Sequence, residues 1–220
     1  MTMRGTKTPT TFSAARAIAS IFGILSGLGG LTHGIGEVLQ GNVAPTGLWI
    51  YSWTQGPIAT HMGGEPGITI VPNLLATGIL TIIVAVFMVL WASAFLQREN
   101  GGRILILLSL IMLLVGGGVG PPIIGILAGV AGLGINAPLT WWRRHISTAC
   151  RRVLATLWPW LFGIAVADCV FLVIGSVILV YFFDLNNPDL FTNSFFFAVL
   201  SLLLVIFTGR VYDMQRNPET

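Results

Sequence analysis

Residues 103–135 read RILILLSLIMLLVGGGVGPPIIGILAGVAGLGI, a long apolar run interrupted at its centre by Gly116-Gly117-Gly118-Val119-Gly120-Pro121-Pro122. Whether this run crosses a membrane once or turns back on itself decides the topology of everything after it. Proline brings no N–H and glycine no Cβ, so the heptapeptide breaks a helix and favours a sharp turn. The arm 104–118 would rise about 22 Å at 1.5 Å per residue, short of the roughly 30 Å hydrocarbon core. A re-entrant hairpin of two short helices, or one that thins the bilayer locally, is therefore expected.

Working outward, the rest of the chain is read by composition. Of the 220 residues 55% are apolar and 9% charged, with a mean hydropathy of +0.87. That excludes an ordinary soluble domain and indicates an all-α polytopic membrane protein, a single transmembrane domain over 1–220. The expected spans are 14–36, 68–96, 104–118, 121–135, 154–183 and 191–209, six membrane helices in all. A polar start with Arg4 and Lys7 before an apolar run resembles a signal peptide. No small-residue cleavage site follows, so an uncleaved first helix is expected.

The eleven Lys and Arg residues test the turn. If the hairpin returns, Arg4, Lys7, Arg16, Arg98, Arg103, Arg143, Arg144, Arg151, Arg152, Arg210 and Arg216 all fall on one side. If it crosses, the arginine-rich segment and the two ends of the chain are split between sides. Because cytoplasmic loops are enriched in Lys and Arg, the return is favoured, with both termini cytoplasmic and the plasma membrane (in bacteria, the inner membrane) as the location. The pI near 9.3 then reflects orientation and not nucleic-acid binding. The extracytoplasmic loop 42–67 follows the first span, and 42–72 contains no Lys or Arg but does contain Trp49, Tyr51 and Trp53. The segment 139–153 reads as a basic amphipathic surface helix, with Arg143, Arg144, Arg151 and Arg152 among anionic lipid headgroups.

Glycines recur at helical spacing in the first span (Gly23, Gly27, Gly30, Gly34) and in the second hairpin arm (Gly125, Gly129, Gly132). Small-residue faces permit close helix contact in lipid, within the chain, in a homo-oligomer or against a membrane partner. The two cysteines, Cys150 and Cys169, suggest no disulfide and no zinc site.

Three groups of residues carry the candidate chemistry. His33 and Glu37, and again His61 and Glu65, form H-x-x-x-E pairs. On a helix this spacing stacks an imidazole and a carboxylate on one face, a geometry suited to a divalent metal or to orienting a base. Gln40 and Asn42 would complete a polar pocket. Asp168 lies ten residues beyond Trp158, about 15 Å along a helix and near the bilayer centre, where a carboxylate implies a partner, a wet cavity or a bound proton. Third, the break at Gly118 and Gly120 would present a helix N-terminus inside the protein, an end that attracts anions. No hydrolase elbow, phosphate-binding loop, zinc-protease or haem pattern occurs. The leading expectation is binding or transport of a small solute or ion through a polar cavity, without enzymatic activity. The alternatives are a metal-dependent protein at the outer face and an accessory subunit of a membrane complex.

Overall fold

The computed structural model describes residues 12–135 and 137–216; Arg4 and Lys7 lie outside them. The described chain is helical apart from one short two-stranded ribbon. Four helices are long and apolar enough to cross a membrane, Ala14–Gln40, Leu74–Ala94, Thr148–Phe183 and Pro188–Arg216, and two shorter apolar ones are Gly101–Leu114 and Gly120–Gly132.

The helix α1 (Ala14–Gln40) is the central post. Its glycines let α3 (Leu74–Ala94) approach backbone to backbone: a Cβ on Gly34 would stand 3.0 Å from the Gly78 carbonyl oxygen, and one on Gly78 only 2.5 Å from that of Gly34. Gly30 faces Met112 and Gly29 faces Pro121, so α4 (Gly101–Leu114) and α5 (Gly120–Gly132) pack on other sides of the same helix. Gly129 and Gly132 of α5 rest in turn on Ile106 and Gly102 of α4. Both glycine faces are thus covered within the chain. In lipid, where apolar burial drives little, such close contact is what holds helices together.

The α4–α5 pair is a hairpin whose base, Gly102 against Gly132, lies at the end of the bundle holding the start of α1. Asp213 fixes the C-terminal part of α9 (Pro188–Arg216) at that same end: its carboxylate accepts from Ala14 N at 2.6 Å, Ala15 N at 3.0 Å and Ser13 Oγ at 3.0 Å. The two N–H groups are backbone donors that the first turn of α1 cannot satisfy internally. Arg210 donates to Gly134 O, tying α9 to the end of α5.

Thr148 starts α7 (Thr148–Val170), with Ser147 as its cap, six residues before the span expected at 154. The expected surface helix over 139–153 is accordingly two pieces, α6 (Thr140–His145) and the first turns of α7. Arg151 folds back onto the carbonyls of Arg143 and Ile146, closing α6, while Arg144 and Arg152 are exposed. Beyond Val170 one wide π turn, Phe171–Gly175, leads without a gap into α8 (Ser176–Phe183).

At the opposite end the loop after α1 is ordered. It holds β1 (Trp49–Tyr51), α2 (Gly56–Met62) and β2 (Pro66–Ile68), with Trp49 opposite Ile68 and Tyr51 opposite Pro66. The ribbon lies against the hairpin tip: Ile70 N donates to Leu114 O at 3.0 Å and Val119 N to Pro66 O at 3.1 Å. At about 21 Å the fourteen-residue α4 is much shorter than α1, so the loop folds inward to meet it.

Candidate functional site

The last turns of α1 carry His33 and Glu37 on the face toward the loop, both buried and Glu37 completely so. The two side chains do not bond each other. Ser52, just after β1 and fully buried, stands between them. Its Oγ lies 2.9 Å from His33 Nδ1 and donates to Glu37 Oε1 at 3.1 Å. The loop is held there by Ser52 N donating to Glu65 O at 2.9 Å, and by Gln40 Nε2 donating to the carbonyls of Tyr51 and Ser52 at 2.9 Å each.

On the other side of the imidazole, His33 Nε2 lies 3.3 Å from Glu65 Oε2. The approach is close but off the line of a good hydrogen bond, and that oxygen is buried with no hydrogen-bond partner. The second oxygen of Glu37 faces Thr81 Oγ1 at 3.5 Å, but Thr81 has one proton and its 2.6 Å bond to Val115 O takes it. Four side chains therefore form one line, Glu37, Ser52, His33 and Glu65, running from a sealed interior to the rim of a cavity.

The Gly-rich break is what makes room for this line. A Cβ on Gly116 would fall 2.6 Å and 2.7 Å from the two Glu37 carboxylate oxygens, and both Gly116 and Gly118 have positive φ, 101° and 78°. Three N–H groups of the tip are taken up within the protein. Gly117 N donates to Met112 O, Gly118 N to Gly116 O and Val119 N to Pro66 O. Pro121 and Pro122 occupy the first turn of α5, so the helix end expected to present free N–H groups lacks two of them.

The cavity has a volume of about 350 Å³. Its walls come from Leu25 and Gly29 of α1, Pro121 and Ile124 of α5, Cys169 of α7, Val173 of the π turn, and Phe191 and Phe195 of α9. His33 and Glu65 form its polar end, beside Met62 of α2. Gly120 lines it; Gly118 is packed behind the His33 ring instead.

The remaining residues singled out by sequence lie elsewhere. Asp168 does not line the cavity; its Oδ1 accepts from Ser194 Oγ of α9 and its Oδ2 is buried without a partner. Asn42 bonds Asn73, the cap of α3. His61 pairs with Asp184 at 2.8 Å and not with Glu65, fastening α2 to the end of α8. Among the described residues no three His, Cys, Asp or Glu side chains are grouped to hold a metal ion. Ser52, His33 and Glu65 have the composition of a hydrolytic triad. Ser52, however, is enclosed between the ring and Glu37, where no substrate carbonyl can reach it.

Ser52 and Thr81 carry no sequence signal: each is a lone hydroxyl in an unremarkable context, and only the docked loop gives Ser52 a role. Compared with protein-family models, curated proteins and solved structures, the chain matches none, so the functional reading rests on this geometry.

Proposed function

We propose that this is a multi-pass cytoplasmic-membrane protein that binds, and carries toward or across the bilayer, a small amphipathic solute. Its apolar part would lie against Leu25, Ile124 and Phe195, and its polar end against His33 and Glu65. The observation that carries this reading is the cavity itself: apolar walls drawn from α1, α5, α7 with its π turn, and α9, closed at one end by an imidazole and a carboxylate. Few convergent polar groups in an apolar pocket is the usual construction of a small-molecule site.

In the same proposal the two hairpin arms lie in the bilayer with the four long helices, and both termini are cytoplasmic. The support is the distribution of charge. Every described arginine falls at the end of the bundle where α1 begins and α9 finishes, and the opposite end, residues 42–72, has no Lys or Arg. Exposed Trp141, Arg144 and Arg152 suit anionic headgroups at the cytoplasmic face.

The test is a thermal-stability screen of the purified protein with straight-chain amines, carboxylic acids and alcohols. At least one class should raise the melting temperature, and the effect should vanish when Thr192→Trp, at a lining position on α9, fills the cavity. No shift with any class would overturn the binding reading and favour an accessory subunit.

A further inference from the structure

The line from Glu37 to Glu65 does more than brace the loop. We infer that Glu37, Ser52, His33 and Glu65 form a proton relay between the rim of the cavity and a carboxyl sealed beneath the hairpin tip.

The argument is one of donors and acceptors. An imidazole, a hydroxyl and two carboxyls in a row can be satisfied in two ways with the same number of protons. In the first, Glu37 bears a proton and donates to Ser52 Oγ, Ser52 donates to His33 Nδ1, and His33 Nε2–H points at an ionised Glu65. In the second, each proton has moved one place: Glu65 bears the proton and donates to Nε2, Nδ1–H donates to Ser52, and Ser52 donates to an ionised Glu37. Three transfers connect the two arrangements, the imidazole changes tautomer, and the total charge of the four groups is constant. The two inner spacings, 2.9 Å and 3.1 Å, are hydrogen-bond distances. The outer one, 3.3 Å and poorly aligned, is the weak link, so a small shift of Glu65 opens or closes the line.

The surroundings keep the path single. Glu37 meets α3 at Thr81 and the hairpin at Gly116, neither of which titrates, and Thr81 donates its hydrogen bond to Val115 O. At the cavity end the other titratable neighbours are Cys169 of α7 and, farther out, the His61–Asp184 pair. The described arginines are all at the other end of the bundle. A proton arriving at Glu37 has no onward route but return, so Glu37 acts as a store that the cavity fills and empties.

This inference concerns the cavity proposed above but does not need a solute in it. The experiment is therefore run without one. Protein reconstituted in lipid is taken through a rapid upward pH jump, and the protonated-carboxyl infrared band is followed, with the Glu37 contribution identified as the part missing in Glu37→Gln. In the natural protein that band should fall promptly, because loss of the Glu65 proton from the second arrangement leaves Glu37 ionised. Ser52→Ala should slow the response about a hundredfold, the scale of a positioned proton donor, and Ser52→Thr should restore it. If Ser52→Ala does not fold, His33→Gln, similar in volume and unable to relay, should show the same slowing. A response at the natural rate in either variant, or no carboxyl band assignable to Glu37 at any pH, would overturn the relay.

Discussion

A Cβ on Gly118 would stand 2.4 Å from both Cε1 and Nε2 of His33, so the hairpin tip and the imidazole occupy adjoining space that only glycine leaves open. Backbone and site are therefore fitted to each other at this point. The strain region of φ, 78° at Gly118, adds a second reason for glycine there.

Gly118→Ala should destabilise the protein by about 2–5 kcal/mol, combining a non-glycine residue at positive φ with overpacking. Gly163→Ala, in α7 with open space around it, should be neutral or stabilising by up to about 1 kcal/mol. Melting temperatures in detergent compare the two, and equal effects would contradict the packing described for the tip.

Asp168→Leu should lower stability by about 1 kcal/mol, as expected for one interhelical hydrogen bond in a membrane bundle, and Ser194→Ala should do the same. Affinity for any solute that the cavity holds should be unchanged in both. Loss of binding in Asp168→Leu with stability intact would move the binding site toward α7.

Asp213→Ala should cost about 1–2 kcal/mol, because three donors at the start of α1 lose their acceptor at once. Ser13→Ala removes one of them together with the 3.4 Å cap bond from Arg16 N, and should cost about 1 kcal/mol. The pair is read by the same melting measurement, and a silent Asp213→Ala would mean that water replaces the cap freely.

Sidedness is testable with the native thiols, since Cys150 is exposed and Cys169 buried. An impermeant maleimide added to intact cells should miss Cys150 and label Gly47→Cys, which stands in open space on the loop. Arg98→Cys should behave like Cys150. Labelling of Arg98→Cys and Cys150 from opposite sides would refute the returning hairpin.

The coarse architecture was legible because apolar runs and Gly–Pro breaks are local signals. The Leu74–Ala94 and Pro188–Arg216 helices cover most of the runs 68–96 and 191–209, and the break at 116–122 separates α4 from α5, its last three residues opening α5. The site was legible only in part. His33 and Glu37 share a face as four-residue spacing requires, yet their connection is Ser52, supplied by a loop whose position depends on the β1–β2 register and on Val119 N reaching Pro66 O. Glu65 sits four residues from His61 in sequence but lies against His33, because the turn at Gly63 and Gly64, both at positive φ, carries the two side chains apart. Partners fixed by a folded loop leave no periodicity to read.

The π turn at Phe171–Gly175 sets the helical phase of everything that follows it. An α-helix advances about 100° per residue, so deleting one residue there and restoring regular winding would rotate α8 by that angle about its axis. Tyr181 and Asp184 would swing away from Gly56 and His61, and the clasp on α2 would release. One extra residue in the middle of this long helix thus keeps the loop that covers the cavity in register with its walls.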